Sequence, residues 1–377
     1  MDFTFTEEQQ AAAEAARAVL SGVAPDAVPS PALVPGAVAE DFDRALWRRL
    51  ADAGLLSLMV PPAHGGAGLG PIALCLVLRE AGKVLARVPL LESSAAALTL
   101  RTHGGAAADR LLPSIGRGEL VVTVAAGGRT GHDGAELAVA ARPDGGAHWV
   151  LDGLQTAVPW APCADRLLLP AHTPAGRAVL ALVPRERPGV TLADQVSTNG
   201  ERYARVALES VRVRVDELIT AEGAWELLRG LLVTGTCALA LGLGEAAAAM
   251  TGAYTSEREQ FGHPLATFQA VAVQAADRYI DLRAMEATLW QAAWRLESGA
   301  GGPLPAAADI AVAKVWASEG VRRVVQTAQH LHGGFGADTE YALHRYHAWA
   351  KQLELSLGPA AAHEEALGDL LAAHDLG

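Results

Sequence analysis

Apolar residues in the first 117 positions recur at the spacing of amphipathic helices. Thr6 and Gln9 have the spacing of a capping box, and Phe5 precedes them as a candidate hydrophobic staple. A second helix is predicted between Asp41 and Leu58, before Pro61 and Pro62 interrupt the chain. A third is predicted from Ile72 to Leu85. The apolar positions that indicate the second helix are Leu46, Leu50, Leu55 and Leu56.

The pattern changes between about Leu120 and Ile219. Short runs rich in Val and Leu alternate with Gly, Pro and Asp, which is typical of strands separated by turns. The runs are L-V-V-T-V, H-W-V-L, R-L-L-L-P-A, A-V-L-A-L-V-P and R-V-A-L. No segment of helical length lies between them, which argues against a parallel βαβ domain. A small antiparallel barrel or sandwich is therefore predicted.

Helical periodicity returns after about Glu222. Long stretches rich in Ala and Leu cover residues 224–256, 266–297, 304–331 and 340–356, with Gly and Pro at the breaks. The predicted fold is mostly α with a central β-domain. It comprises an N-terminal helical domain (1–117), a middle β-domain (118–220) and a C-terminal four-helix bundle (221–377).

Composition and charge narrow the function. The chain has 377 residues and a formal net charge of −12, and no block of Lys or Arg stands out. A nucleic-acid partner is not expected, because phosphate binding requires a basic face. The longest uncharged apolar run, between Arg229 and Glu245, is shorter than a membrane span of about 20 residues. We therefore expect no membrane segment.

The cysteines and histidines predict neither a disulfide framework nor a metal site. Three cysteines are far apart in the sequence, and the acidic N-terminus lacks the pattern of a signal peptide, so we expect a reducing, cytoplasmic setting. Twelve histidines are present, but no Asp, Glu or Cys completes a set at ligand spacing.

Several segments resemble landmarks of the acyl-CoA dehydrogenases, in that family's order. They are T-E-E-Q near the N-terminus, L-L-S-L-M-V-P-P-A-H-G-G-A-G-L-G, V-R-V-R-V-D-E-L-I, R-E-Q-F-G-H-P-L-A-T-F-Q and Q-H-L-H-G-G-F-G-A-D-T-E-Y. The resemblance covers nearly the whole chain. It implies an acyl-CoA dehydrogenase-like fold, in which FAD lies at a subunit interface and an acyl thioester lies against the flavin.

The resemblance also implies contacts to FAD. A guanidinium suits a pyrophosphate, and glycines allow a ligand to approach the backbone closely. An alternative is that Arg258 forms an ion pair within the protein, and that Gly333 and Gly334 only form a turn that links two helices. The implied FAD contacts are Arg258, Phe261, Gln269, Gln329, Gly333 and Gly334.

The residue expected to act as the catalytic base is missing. The family reaction removes the α-proton of an acyl-CoA with a carboxylate and transfers the β-hydrogen to the flavin as hydride. At the usual position, just before a glycine, this chain has Leu357. A smaller branch takes its base from the first long C-terminal helix, where the alignment gives Leu232. Glu354, one helical turn from Leu357, and Glu226 are the alternative carboxylates.

The middle domain also departs from the family. Where the family usually has T-E-P followed by Gly-Ser-Asp, this chain has A-A-G-G-R-T-G-H-D-G from Ala125. Where it has W-I-T or W-I-S, this chain has A-V-P-W from Ala157. Pro159 thus replaces a hydroxyl donor and has no backbone N–H, while Trp160 remains able to stack near a ring.

Three hypotheses account for these departures. In the first, the chain is the base-lacking subunit of a hetero-oligomeric acyl-CoA dehydrogenase, which resembles the enzymes that act on steroid side chains. In the second, the fold has been repurposed for a non-redox reaction, such as cyclisation or isomerisation, or only binds a thioester. In the third, a homomeric dehydrogenase uses a relocated base. A redox-active enzyme would also need an electron acceptor such as electron-transfer flavoprotein.

Overall fold

A computed structural model of the chain describes residues 4–130 and 137–374. Along the sequence, helices are followed by a sheet and then by further helices. The first part contains the helices α1 (Glu7–Leu20), α2 (Arg44–Asp52), α3 (Pro71–Lys83), α4 (Leu90–His103) and α5 (Ala106–Gly116). This order confirms the predicted fold class.

The start of α1 confirms the predicted capping box. Thr6 Oγ1 accepts a hydrogen bond from the Gln9 backbone N–H at 3.3 Å, and Gln9 Oε1 accepts one from the Thr6 N–H at 3.0 Å. These bonds satisfy two helix-terminal donors. Phe5 does not form a staple within α1, because the residue four positions into the helix is Gln10. Its ring instead packs edge-on against Trp290 at a centroid distance of 5.0 Å.

Helix α2 is shorter than predicted. It ends at Asp52, because Gly54 adopts a left-handed φ of +73° and turns the chain. Leu55 and Leu56 are still buried, but they lie on the turn that follows the helix. Their burial, rather than a helical backbone, accounts for the apolar pattern that indicated a longer helix.

The middle part is an eight-stranded sheet in the order β6-β7-β3-β2-β4-β5-β8, with β1 beside β4. Neighbouring strands are antiparallel, except that β1 and β2 pair with β4 in parallel. The sheet is therefore mixed, because β1, β2 and β4 run in the same direction and β3 runs opposite to them. The strands are β1 (Val122–Val124), β2 (Val139–Pro143), β3 (His148–Pro159), β4 (Arg166–His172), β5 (Ala178–Pro184), β6 (Val190–Val196), β7 (Arg202–Arg214) and β8 (Leu218–Ile219).

Alternating residues of the sheet serve two cores. In β4, Leu167 and Leu169 belong to the core of the sheet itself, whereas Leu168 joins the core shared with the helices. This is the period of two expected of a strand with both faces covered. The sheet is thereby packed against the helical parts.

The last part contains α6 (Ala224–Glu257), the short strands β9 (Glu259–Gln260) and β10 (His263–Pro264), α7 (Gln269–Ser298), α8 (Ala306–His332), α9 (Leu343–Leu355) and α10 (Ala360–Ala373). Helices α6 to α9 lie close to the four predicted stretches. Helix α10 was not predicted, and it packs against α8.

Helix α6 is the central helix of the core. It is long and apolar enough to cross a membrane by length and composition, but 83% of its most apolar window is buried within the fold. Glycines bring it close to α3: a Cβ on Gly242 would lie 1.8 Å from the Arg79 carbonyl oxygen, and one on Gly82 would lie 2.3 Å from that of Leu239. Its apolar character is therefore explained by packing.

Candidate functional site

A cavity of about 620 Å³ lies where the three parts of the fold meet. We call it the central cavity. Its walls come from α3, α4, the ends of β1 and β3, the β6–β7 connection, α6 and the segment that follows α9. Most of the lining side chains are aliphatic. A cavity of this size and character is typical of a small-molecule site.

The two positions at which a base is expected both face this cavity. Leu357 lies just after α9, and Leu232 lies on α6, and both line the wall. Leu357 has a left-handed φ of +59° and precedes Gly358, whose φ is +101°. A leucine rarely adopts this conformation, so the surrounding structure must hold it.

Hydrogen bonds hold the segment that carries Leu357. His363 Nε2 lies 3.0 Å from the Leu357 carbonyl oxygen. The fully buried Lys314 donates from Nζ to the carbonyl oxygens of Leu353 and Glu354, both at 3.0 Å, and to Ser318 Oγ at 2.8 Å. Burial lowers the pKa of Lys314 to about 8. The backbone that would present a base is thus well supported, although its side chain is aliphatic.

The two alternative carboxylates lie elsewhere. The carboxylate of Glu354 accepts a hydrogen bond of 2.6 Å from Lys351 Nζ, and it is not part of the cavity wall. Glu226 is exposed in the first turn of α6, six residues before Leu232. Neither Glu354 nor Glu226 therefore lines the central cavity beside Leu357 or Leu232.

Two carboxyl groups that sequence reasoning missed do line the cavity. Glu92 on α4 accepts a hydrogen bond of 3.1 Å at Oε2 from Trp160 Nε1. Burial raises its pKa to about 7. Glu201, 5% exposed, directly precedes β7, and burial raises its pKa to about 8, although Arg87 opposes this shift. The signal for Glu92 was a lone charge in the apolar run V-P-L-L-E-S-S.

An irregular end of β3 brings Trp160 to the cavity. Ala157 and Trp160 both have left-handed backbones, with φ of +50° and +57°. The pairing of β3 with β7 also shifts register between Gln155 and Val158. Trp160 consequently faces the N-terminal helices, where its ring meets Phe42 edge-on at 6.4 Å.

Residues of the middle domain that differ from the family pattern lie on the wall of the central cavity. Ala157 and Pro159 both line the cavity, and Pro159 has no N–H to donate to a ligand. The backbone N–H of Gly128 is already bonded to Gln155 Oε1 at 2.7 Å. The later part of the departing segment, residues 131–134, lies outside the described residues.

Other polar side chains of the cavity wall are bonded within the protein. Tyr203 Oη accepts from Gln352 Nε2 at 2.7 Å, and Gln195 Oε1 accepts from the Ala157 N–H at 2.9 Å. Thr198 Oγ1 donates to the Ala348 carbonyl at 2.9 Å. The wall therefore offers few free donors for the polar edge of a flavin ring.

The residues implied as FAD contacts lie on an exposed surface, which we call the nucleotide surface. It consists of two adjoining segments, joined by Tyr254 of α6, whose ring stacks on His332 at 4.2 Å and on Phe335 at 5.8 Å. Arg258 is one turn beyond Tyr254. The members of the nucleotide surface are Arg258, Phe261, Gln269, Gln329, Gly333 and Gly334.

The nucleotide surface fits the diphosphate part of FAD. Among the described residues, the Arg258 guanidinium has no hydrogen-bond or ion-pair partner, so it is free to meet a phosphate. Phe261 is 91% exposed with a φ of +53°. Gly333 has a φ of +60°, and an added Cβ would meet nothing within 4 Å, so the space beside its backbone is open. Gln269 begins α7, whose N-terminal N–H groups favour an anion.

Comparisons with protein families agree with this geometry. The family model described as Acyl-CoA dehydrogenase, N-terminal domain matches residues 6–119. The model described as Acyl-CoA dehydrogenase, C-terminal domain matches residues 234–371. Together they include the cavity walls contributed by α3 and α4, Thr236 and Leu239 of α6, and the whole nucleotide surface.

Individual proteins are similar over the full length. The chain is 35% identical to Acyl-CoA dehydrogenase FadE27 of Mycobacterium tuberculosis, over 99% of each chain. It resembles a chain in the crystal structure of the ChsE4-ChsE5 complex from Mycobacterium tuberculosis, with 36% identity, 99% coverage of both chains and a TM-score of 0.88. It also resembles a chain in a variant of the Tcur3481-Tcur3483 steroid ACAD, with 38% identity, 97% and 98% coverage and a TM-score of 0.89.

Proposed function

Since this chain belongs to the acyl-CoA dehydrogenase family, we propose that it is the base-lacking subunit of a hetero-oligomeric, FAD-dependent acyl-CoA dehydrogenase. The observation that carries the proposal is the contrast between two surfaces. Both base positions in the central cavity are leucines, Leu357 and Leu232. The nucleotide surface, in contrast, keeps open glycines and Arg258, whose guanidinium has no partner in the part of the chain that the structure describes.

The chain's own cavity lacks the groups for proton abstraction at the expected positions. An aliphatic side chain cannot accept the α-proton, and Glu354 and Glu226 are outside the cavity wall. The base is therefore assigned to a second acyl-CoA dehydrogenase chain, whose cavity takes the acyl thioester. FAD, the cofactor of this family, accepts the β-hydrogen as hydride when it is bound there.

This chain's part is to hold the nucleotide end of the partner's cofactor. Arg258 neutralises phosphate charge, and Gln269 and Gln329 supply amide hydrogen bonds. Gly333 and Gly334 let the cofactor approach the backbone. Phe261 lies three positions after Arg258 along the chain, and its side chain is exposed. These residues would hold the cofactor at the interface with the base-containing chain.

The surface of α7 supports an oligomer. Val273, Tyr279 and Ile280 in its N-terminal half are 53%, 62% and 62% exposed. Large apolar side chains clustered on one exposed helix are typical of a contact with another chain. The similar structures named above include a complex of two differently named chains, ChsE4 and ChsE5. We place the enzyme in the cytoplasm, with electron-transfer flavoprotein as its electron acceptor.

The test is an absorbance spectrum and a native mass, first of the chain purified alone and then after co-expression with a base-containing acyl-CoA dehydrogenase subunit from the same source. We expect little flavin in the chain alone and stoichiometric flavin in a mixed oligomer. In that complex, Arg258→Ala should release flavin, whereas Arg48→Ala, an exposed arginine on α2, should not. Normal acyl-CoA turnover by the chain alone would refute the proposal.

A second candidate is a non-redox reaction within the central cavity. It is favoured by Glu92, a cavity-lining carboxyl whose pKa of about 7 leaves a large protonated fraction at neutral pH. Such a group suits general acid catalysis of a cyclisation or isomerisation. This candidate predicts a flavin-free homo-oligomer, and tightly bound, reducible FAD in the isolated chain would exclude it.

A further inference from the structure

One part of the central cavity wall is polar, and the proposed dehydrogenation does not use it. We call it the acid wall, formed by Glu92, Trp160, Asn199, Glu201 and Tyr203. Glu92 lies within electrostatic reach of Glu201 and Tyr203, because its charge contributes to raising the pKa of both. Burial makes the larger contribution in each case. Trp160 is hydrogen-bonded to Glu92, and Asn199 to the backbone of Glu201. Most of the remaining wall is aliphatic, and its polar side chains Gln195, Thr198 and Gln352 are bonded within the protein.

Asn199 carries an unused donor on this wall. It is 1% exposed, and its Oδ1 accepts hydrogen bonds from Ser197 Oγ and from the Glu201 backbone N–H, the latter at 3.1 Å. These bonds fix the orientation of the amide. Its Nδ2 then reaches no acceptor at hydrogen-bond geometry among the described residues. A buried N–H group without a partner is costly, so an acceptor brought by a ligand would stabilise this arrangement.

We propose that the central cavity of this chain binds a neutral, predominantly apolar alcohol, whose hydroxyl group meets the acid wall. The hydroxyl oxygen accepts from Asn199 Nδ2, and its O–H donates to a carboxyl oxygen of Glu92. The apolar remainder packs against aliphatic residues such as Leu90, Leu232 and Leu357.

A hydroxyl matches the acid wall better than an ether, a ketone, a thioester or a carboxylate. It both accepts and donates a hydrogen bond, whereas an ether, ketone or thioester oxygen only accepts. A carboxylate ligand would add a negative charge beside Glu92 and Glu201 in an apolar cavity, which is unfavourable. A cavity of 620 Å³ lies within the range of roughly 300–1,000 Å³ of pockets that enclose drug-sized ligands.

The test is a series of head groups on the full-length chain, measured by equilibrium dialysis at pH 7. The probes are decan-1-ol, its methyl ether, decanoate and decylammonium, together with decahydronaphthalen-2-ol and its methyl ether as a rigid pair. We expect at least one alcohol to bind about tenfold more tightly than its own ether, and decan-1-ol to bind more tightly than both charged probes. If neither alcohol exceeds its ether, or if decanoate or decylammonium binds more tightly, the proposal is wrong.

Two variants test whether the acid wall causes the preference for an alcohol. Asn199→Asp keeps the shape of the side chain but removes the Nδ2 donor, and we expect it to weaken binding of the preferred alcohol about tenfold. Gln195→Glu is the matched control, because it makes the same amide-to-acid change on the cavity wall at a residue whose amide is already bonded to Thr156 and Ala157. Equal effects of the two variants would contradict the proposal. If a variant fails to fold, the head-group series measured on the unaltered chain still tests the proposal.

The outcome is independent of the proposed role in a dehydrogenase. Alcohol binding concerns this chain's own cavity, whereas flavin retention concerns the nucleotide surface. Loss of the alcohol preference with intact flavin binding in the mixed oligomer would overturn only the present inference. The reverse result would overturn only the proposed function.

Discussion

Trp160 donates a hydrogen bond of 3.1 Å from its indole Nε1 to Glu92 Oε2 on the wall of the central cavity. The bond joins the end of β3 to α4, and thus the sheet to the N-terminal helices. It requires the left-handed backbone of Trp160, since that conformation turns the indole away from the sheet. The carboxyl group of Glu92 is therefore held in an apolar environment by a neutral donor.

This environment makes stability depend on pH. Burial raises the pKa of Glu92 from 4.5 to about 7, so the folded state binds the proton more tightly than the unfolded state does. The resulting stabilisation is full below about pH 4.5 and is lost as the pH rises through about 7. We expect Glu92→Gln to remove this loss and to gain up to about 3 kcal/mol over the unaltered chain between pH 5 and pH 9, at about 1.4 kcal/mol per pKa unit.

Urea unfolding at the two pH values measures this difference. Glu364→Gln, an exposed carboxyl on α10, controls for the loss of one acidic group. A pH profile of Glu92→Gln parallel to that of the unaltered chain would show that Glu92 is not desolvated in the fold.

Lys314 is expected to stabilise the segment that carries Leu357. Lys314→Met would leave the carbonyl oxygens of Leu353 and Glu354 without their donor, at a cost of about 2–4 kcal/mol of unfolding free energy. Lys351→Met, which removes a partly exposed ion pair with Glu354, should cost less than about 1 kcal/mol. Chemical denaturation of both variants makes the comparison, and equal losses would contradict it.

The close approach of α3 and α6 is tested by two glycines on the same helix. Gly242→Ala places a methyl group 1.8 Å from the Arg79 carbonyl oxygen, so α3 must move and we expect a loss of about 3 kcal/mol or more. Gly252→Ala meets nothing within 4 Å and should be neutral or stabilising by up to about 1 kcal/mol. Thermal unfolding ranks the two, and a stable Gly242→Ala variant would mean that the helices are farther apart.

Restoring a carboxylate at the base position should not restore dehydrogenation in the isolated chain. Leu357→Glu places the group on the cavity wall, but Pro159 still offers no N–H to a flavin there. We expect no dye-linked oxidation of acyl-CoA by this variant alone. Leu371→Glu, at a 42% exposed position on α10, controls for the added charge. Turnover by Leu357→Glu would show that the chain's own cavity holds a working flavin.

The order of helices, sheet and helices could be predicted from the sequence, because each part has its own periodicity. The capping box at Thr6 and Gln9 is local, so four residues suffice to specify it. The aliphatic residues at positions 232 and 357 were also visible as departures from a family pattern. Their placement on one cavity wall was not, since 125 positions separate them along the chain.

Other features depended on contacts distant in sequence. Helix α2 stops early because Gly54 turns the chain, whereas the buried Leu55 and Leu56 continued the helical pattern. The parallel pairing of β1 with β4 joins strands separated by a hairpin, and strand order has no local signature.

The sequence by itself determined the family, the secondary-structure order and the absence of a carboxylate at both expected base positions, since these depend on residue identity and short-range periodicity. Only the tertiary structure decided which carboxyl groups face the cavity. Glu354 and Glu226 were the carboxylates near the expected positions along the chain, yet Glu92 and Glu201 are the ones on the wall. The reason is physical: burial and proximity, which set the pKa of a carboxyl group, arise from packing among α4, the sheet and α6 rather than from spacing along the chain.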